Sequence, residues 1–502
     1  MPESTLAVAP SGDTRAGENP HHARRWLILV MIGIAQLMVV LDATVVTIAL
    51  PTAQTDLGFS DNSRQWIVTA YALAFGSLLL LGGRIADVLG RKWVFIVGLV
   101  GFAVASAVGG ASVDVGMLIG ARAVQGLFAA LLAPAILSLL TTTFTEPLER
   151  AKAFGIFGAI AGAGASIGLL LGGFLTEYAN WRWTMYVNLG FAAIALVGGY
   201  LLLEHSRAAH RARLDVPGTV VVSAGLFALV YGFSHADTDG WANGVTIGLL
   251  VAAGVLLATF VTMQQRAKTP LLPLRIVLDR NRGGALLAMF AAAAGMFAVF
   301  LFLTYYLQAS LGYSAVMSGV AFLPLTGILV VVSAVASTVL VPRVSAKVLI
   351  PAGMAVSALA MYLLTHVGLE TGYSSHVLPA LLLLGAGLGL VFATGFGMAT
   401  LGVDPSDSGV ASATVNTMQQ VGGSVGTALL NTIASTAAAS YATSHLTGGD
   451  TKLVLANAAI HSYSVSFWWA AGIFAIGAVL TAIVLRPGVP QYDPEAAGGV
   501  VL

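Results

Sequence analysis

Residues 83–92, Gly83-Arg84-Ile85-Ala86-Asp87-Val88-Leu89-Gly90-Arg91-Lys92, decide how this chain folds. Four charged side chains and two glycines are packed between two apolar runs. Residues 65–83 and 93–113 contain no Asp, Glu, Lys or Arg, and each is long enough to cross a bilayer, which takes roughly 20 residues. A short basic hairpin between two spanning helices must lie at a membrane surface, and its charge identifies the surface. Working outward, the 502-residue chain is 57% hydrophobic and 9% charged. A water-soluble domain carries about 25% charged residues, so this chain cannot present a charged shell on every side. The net charge of +1 gives no support for nucleic-acid binding, and the absence of cysteine excludes disulfides and thiolate metal sites.

Fourteen spans are predicted between residues 26 and 485. Residues 283–342 hold no charged side chain, too long a stretch for one helix, and the turn-like Leu311-Gly312-Tyr313-Ser314 divides it in two. With the amino terminus placed in the cytoplasm, 19 of the 23 Lys and Arg fall on inner segments and 3 on outer loops (Arg64, Arg182 and Lys452). The last, Arg122, lies inside a span. This asymmetry follows the positive-inside rule, and one missed or false span would invert every later loop. The expectation is a multi-pass protein of the cell membrane with both termini cytoplasmic.

The organisation reads as a polar cytoplasmic tail (1–25), six spans (26–203), basic loops carrying two inserted spans (204–282), six further spans (283–485) and a short cytoplasmic tail (486–502). The fold class expected is all-α integral membrane: two six-helix bundles plus two extra transmembrane helices. Duplicated bundles are a route to alternating access around a site at mid-depth. The Ser-, Thr-, Ala- and Gly-rich segment at 437–462 reads as a flexible outer loop.

Three motifs, in order and on the expected spans, resemble those of the major facilitator superfamily, and within it the fourteen-spanner drug–proton antiporters. Leu41 to Pro51 (Leu-Asp-Ala-Thr-Val-Val-Thr-Ile-Ala-Leu-Pro) is similar to the first-span signature, with Thr47 in place of Asn. Gly83 to Lys92 is similar to the superfamily loop motif, with Ile85 and Val88 substituted. Arg122-Ala123-Val124-Gln125-Gly126 fits the fourth-span motif. The fifth-span antiporter motif keeps its glycines at Gly155, Gly164, Gly168, Gly172 and Gly173, while Leu169 stands in its proline position. The loss of that proline removes the kink a proline would cause, and the glycines permit close packing of this span on its neighbour.

Asp42 and Arg122 are the two Asp, Glu, Lys or Arg side chains that lie well inside spans. A charge at that depth costs at least a few kcal/mol, so both are functional candidates. Asp42 lies eight residues from Leu50, roughly 12 Å below the outer surface at 1.5 Å per residue, and Arg122 is similarly deep. One reading makes Asp42 the proton carrier, loaded from one side and unloaded to the other, with Arg122 in the proton-coupling role that the resemblance implies. The other is a static ion pair joining the first span to the fourth. A single buried carboxylate suggests one proton per cycle.

The loop motif (Gly83, Asp87, Gly90, Arg91 and Lys92) reads either as a solvated turn or as a conformational latch. In the latch, Asp87 sits at the amino terminus of a helix in the opposite bundle, favoured by its dipole, with Arg91 as local partner. Candidates for a substrate cavity are Gln36, Tyr71, Gln125, Asn188, Tyr305, Gln308, Asn416 and Gln420, uncharged groups that need hydrogen-bond partners in lipid. The function expected is proton-coupled export of lipophilic small molecules or drugs, cationic or neutral. The protein would act as a monomer in the bilayer, with the proton as coupling ion and no cofactor or metal. Alternatives are a transporter of the same fold dedicated to one metabolite (an antibiotic, siderophore or amino acid), an importer, and, less in keeping with the sequence, a membrane sensor or enzyme. There is no Walker motif for ATP-driven pumping.

Overall fold

The computed structural model describes residues 24–59, 61–203, 215–267, 270–404, 407–445 and 451–488. The basic segment 204–213, Lys268 and most of both tails lie outside these. The described chain is helical: α1 (Arg25–Leu57), α2 (Asp61–Leu89), α3 (Arg91–Gly110), α4 (Val115–Thr143), α5 (Pro147–Tyr178), α6 (Trp183–Leu202), α7 (Val216–Asp239), α8 (Gly244–Arg266) and the short α9 (Leu274–Leu278). Then follow α10 (Arg280–Ala298), α11 (Ala315–Ala321), α12 (Leu323–Val335), α13 (Ala346–Leu364), α14 (Leu378–Thr400), α15 (Ser408–His445) and α16 (Thr451–Val484). Twelve described helical runs are long and apolar enough to cross a bilayer, and α5 makes a thirteenth. The 38-residue α15 runs among them. Its many Ser, Thr, Asn and Gln side chains hide it from a count made on apolarity alone. The outer segment expected to be flexible is instead largely helix, with α15 reaching His445 and α16 starting at Thr451. Alanine and short hydroxyl side chains permit the helix there and satisfy themselves on the carbonyl one turn back, as Thr436 and Thr443 do.

Many helix starts carry a side chain that accepts an orphan backbone N–H: Asp114 for α4, Asp215 for α7, Asn243 for α8, Asp279 for α10, Ser314 for α11 and Ser345 for α13. The expected division within 283–342 falls where α10 ends, through two π-helical segments, at Ser310. Gly312 there adopts φ 68°, a left-handed turn conformation. α5 corrects another expectation. It bends by 43° between Leu148–Gly164 and Ser166–Tyr178 although its one proline, Pro147, is at the helix start and none is at the bend. Glycine lowers the resistance of the helix there.

Within α1–α6, α2 and α3 pack on α4, and α1 packs on α5 and α6; within α10–α16, α13 packs on α14 and α16, and α10 on α15. Small residues set these distances, since helices in lipid gain their association from close packing. A Cβ on Gly82 would lie 2.0 Å from the Ala130 carbonyl oxygen, and one on Gly126 would lie 2.4 Å from that of Tyr71. The same holds between α10 and α15, where Gly422 and Gly426 rest on the carbonyls of Phe290 and Ala294. The two bundles meet along two seams, α2 with α15 and α5 with α11, α12 and α14. The inserted α7–α8 pair flanks the first: α7 touches both α2 and α15, and α8 packs chiefly on α7. Thr69 bonds Ser234 (3.3 Å), and Trp241 donates to Thr432 (2.8 Å).

In the last turn of α1, Asp56 accepts from the Trp181 indole (2.9 Å) and the Arg182 guanidinium (2.5 Å), which hold its carboxyl below the usual carboxylate range. A depressed carboxylate favours the folded form above its unfolded value, so this tie is intact at neutral pH and is lost as pH falls through the depressed value.

Replacing Gly82 by Val should lower the detergent-solubilised Tm markedly, since overpacking costs about 1–3 kcal/mol or more. The matched change Gly120→Val, at a position with open space around it, should leave Tm nearly unchanged. Equal effects of the two would refute packing-limited contact of α2 with α4.

Candidate functional site

Five helices converge on one buried polar cluster. Asp42 on α1 is 0% exposed and Arg122 on α4 is 1% exposed. Arg122 Nη1 donates to Asp42 Oδ2 at 2.5 Å. Three residues along α4, and so on the same face, Gln125 donates through Nε2 to Asp42 Oδ1 (3.1 Å) and to Ser106 Oγ of α3 (2.6 Å). Its Oε1 accepts from Arg122 Nη1 at 2.9 Å. From α6, Asn188 Nδ2 donates to Asp42 Oδ1 (2.7 Å) and, at 3.3 Å, to Ser106 Oγ. The carboxylate therefore receives three donors, one of them charged. The Tyr71 ring of α2 lies 4.3 Å from the Arg122 guanidinium carbon, a cation–π contact that adds to the charge compensation. Such a set offsets the desolvation of two ions that would each cost several kcal/mol alone.

The fifth-span glycines place this cluster and divide between two neighbours. Gly164, Gly168 and Gly172 face α1: a Cβ on Gly168 would collide with Thr44 Oγ1 and lie 3.2 Å from the Leu41 carbonyl, one residue before Asp42. Gly173 is buried beside them. Gly155 instead faces the opposite bundle at Ser337, and Gly158 and Gly162, outside the motif, meet Phe392 and Leu329. Thus α5 presses on the turn that carries Asp42 with one face and on the other bundle with the next.

A second constellation joins the two bundles where α2 turns into α3. Asp87 Oδ1 accepts from Gly409 N (3.0 Å) and Oδ2 from Val410 N (3.2 Å), at the amino terminus of α15, where the helix dipole favours an anion. Gly83 lies so close that a Cβ there would be 2.5 Å from the Gly409 carbonyl. Gly90, at φ 93°, makes the turn into α3. Arg91, expected as a local partner of Asp87, also crosses the seam to Ser408 Oγ (2.8 Å), and Ser138 of α4 bonds the same hydroxyl at 2.8 Å. Lys92 has a different role from the one expected: it turns away and donates to the Tyr200 (3.1 Å) and Leu203 carbonyls, capping α6. Its long stem reaches those orphan carbonyls at the helix end, which need a donor.

Sequence reasoning missed Asp407, which is 7% exposed and joins Arg84 of α2 (3.9 Å) to Arg275 of α9 (2.6 Å). Leu271, Leu272 and Ile276, around α9, are buried against Leu80, Val410, Ala411 and Ala413. The linker after the inserted pair thus covers the inner end of the α2–α15 seam. Arg150 of α5 adds a bond to the Thr400 carbonyl of α14 at 3.1 Å. Asp404, Asp407 and Ser408 before a helical run carried a helix-start signal; Ser106 and Arg150 carried none.

The cavity candidates divide. Tyr71, Gln125 and Asn188 belong to the Asp42 cluster. Gln36 is buried on α1, and its Oε1 accepts no bond among the described residues. Tyr305, 49% exposed, and Gln308 lie on the π-distorted outer end of α10. Asn416 donates to the Ser412 carbonyl of its own helix, and Gln420 lies across from Gly76 of α2. These five do not join the ion-pair cluster.

A profile of the major facilitator superfamily matches residues 32–427. The chain is 48% identical over 479 residues to the puromycin resistance protein of Streptomyces alboniger, covering 95% of this chain and 94% of that protein. It is 37% identical over 495 residues to the cephamycin export protein of Amycolatopsis lactamdurans, covering 97% and 99%, and 34% identical over 425 residues to the tetracenomycin C resistance and export protein of Streptomyces glaucescens, covering 84% and 78%. Its fold is similar to that of the human organic anion transporter MFSD10, with a TM-score of 0.62 over 92% of this chain and 100% of that one at 16% identity. By fold and by sequence, this multi-pass membrane protein belongs to the major facilitator superfamily.

Proposed function

We propose that the protein exports a lipophilic small molecule across the cell membrane in exchange for a proton, working as a monomer with both termini in the cytoplasm. The observation that carries the proton coupling is the isolated carboxylate Asp42, buried and held by one guanidinium. A proton reaching it from outside removes its charge and with it the reason for Arg122 to stay. Arg122 then seeks new partners, and the four helices tied through Asp42 are free to shift. Release of the proton to the inside restores the pair. Relatives named for resistance and export support the outward direction.

Each of the three relatives above is named for one compound. This favours a second, narrower reading, in which the protein serves one antibiotic class and not a broad set of drugs. Puromycin is the first substrate to test, since the 48% identical relative is named for resistance to it. Competition in one reconstituted preparation separates the readings: several unrelated dyes competing equally would reject the narrow one.

Latch and coupling make separable predictions. Asp42→Asn should insert and fold yet reduce pH-driven uptake into inverted vesicles to the level of empty vesicles; retained proton dependence would exclude Asp42 as the proton site. The Asp87 carboxylate at the α15 terminus is worth about 0.3–2 kcal/mol by the helix dipole. Asp87→Asn should therefore slow turnover severalfold while substrate affinity changes little, and a pure affinity change would reject the latch. The chain has no cysteine, so Ser138→Cys gives a single reporter in the closed inner seam. It should resist a membrane-impermeant maleimide from the cytoplasmic side and become reactive when Asp87→Asn or Arg275→Ala is added. Equal labelling in all backgrounds would mean that neither residue holds the inner side shut.

A further inference from the structure

The hydrogen bonds around Asp42 suit only its ionised form. Arg122 Nη1, Gln125 Nε2 and Asn188 Nδ2 are all donors, so both carboxylate oxygens accept and neither faces an acceptor. A proton added to Oδ2 would point at a guanidinium. Added to Oδ1, it would oppose two amide N–H groups. A protonated, buried carboxyl left without an acceptor is costly. A proton-carrying site therefore needs a neighbour that exchanges a donor for an acceptor.

Two amides touch Oδ1, and they differ in freedom. Gln125 is pinned at both ends, its Oε1 accepting from Arg122 and its Nε2 donating to Ser106 at 2.6 Å. Turning it would put an N–H against the guanidinium. Asn188 is anchored on the nitrogen side alone. Its Oδ1 is buried and accepts no hydrogen bond among the described residues, and its second contact, to Ser106, is long at 3.3 Å. An unsatisfied buried amide oxygen next to a carboxylate is the acceptor that the protonated state lacks.

We propose that Asn188 reads the protonation state of Asp42 by rotating its side-chain amide. With Asp42 ionised, Nδ2 donates to the carboxylate. When a proton binds Oδ1, the amide turns about its Cβ–Cγ bond, Asn188 Oδ1 accepts the new O–H, and the contacts of Nδ2 to Asp42 and Ser106 break. No covalent bond other than the O–H of the carboxyl is made. Because Asn188 stands on α6 and Ser106 on α3, the turn reverses the direction of the bond between α1 and α6 and leaves α3 held to Asn188 only if the Ser106 hydroxyl turns to donate. The titratable groups facing Asp42 are Arg122 from α4 and Tyr71 from α2; α3, α5 and α6 bring Ser106, Gly168 and Asn188. Asn188 is a positioning residue here, and the inference rests on Asp42 being the proton site.

Infrared difference spectra of the reconstituted full-length protein, acidic minus neutral, test it with and without carbonyl-13C-labelled asparagine. The unlabelled protein should show a protonated-carboxyl C=O band that is missing from Asp42→Asn, and an amide C=O band pair should move with a 13C label on the side-chain carbonyl of asparagine. Asn188→Leu should abolish the label-sensitive pair and shift the carboxyl band to the higher frequency of a group that donates to nothing. Asn188→Gln, which keeps an amide and guards against misfolding of the Leu variant, should lose the label sensitivity but keep the carboxyl band low. A wild-type spectrum insensitive to the label, or a carboxyl band unmoved in Asn188→Leu, overturns the inference while leaving Asp42 as proton site. If Asp42→Asn removes no carboxyl band from the spectrum, the proton-site reading is wrong, and the inference falls with it.

Discussion

A carboxylate and a guanidinium 2.5 Å apart, far from water, constrain this molecule more than any other contact. Neither ion is stable at mid-depth alone, so the helices bearing them must be held at one separation and one rotation. That requirement reaches outward. α1 is fixed by the glycine face of α5, α4 by the glycines of its contact with α2, and amides from α4 and α6 donate to the remaining carboxylate oxygen. The polar cluster and the apolar packing are one device, because polar geometry this tight exists only where backbones approach to the limit set by glycine.

The constellation around Asp87 is built on a different arrangement of charge. Asp87 faces two backbone N–H groups and a helix dipole, so its partner is the end of a helix and not a side chain. Around it Asp407, Arg84, Arg275, Arg91, Ser408 and Ser138 draw α2, α4, α9 and α15 to one point. The inserted α7–α8 pair gains a structural meaning from this. It lies beside the α2–α15 seam, and the linker that follows it places Arg275 on Asp407 and buries Leu271, Leu272 and Ile276 against the seam. An insertion between the bundles has thus become a brace across them.

α5 connects the two regions. One face supports the turn of α1 that holds Asp42, and the other rests on α12 and α14 of the opposite bundle, where the Phe157 and Phe396 rings meet at 5.2 Å. α5 thus links the turn of α1 that carries Asp42 to this seam through one continuous helix. The bend of 43° at its middle, kept without the proline, lets the two faces serve neighbours that are not parallel.

By itself the sequence determined the helical class, the number and order of long helices, the division inside 283–342, and the two residues too charged for their depth. These follow from periodicities and costs that act along the chain: bilayer thickness, glycine in turns, and the penalty on an ion in lipid. It also marked Asp87 as a residue needing a partner. Tertiary structure alone decided which partners are met. That Lys92 caps α6, that Asp407 joins α2 to α9, that Gly155 faces a different helix from Gly168, and that Ser106 completes the Asp42 cluster depend on helix rotation and neighbour order. Those are settled by packing summed over many weak contacts between segments distant in sequence, and no single residue announces them. Ser, Thr and Asn side chains show this most plainly, since each satisfies itself on its own helix as readily as on another until the neighbouring backbone is in place.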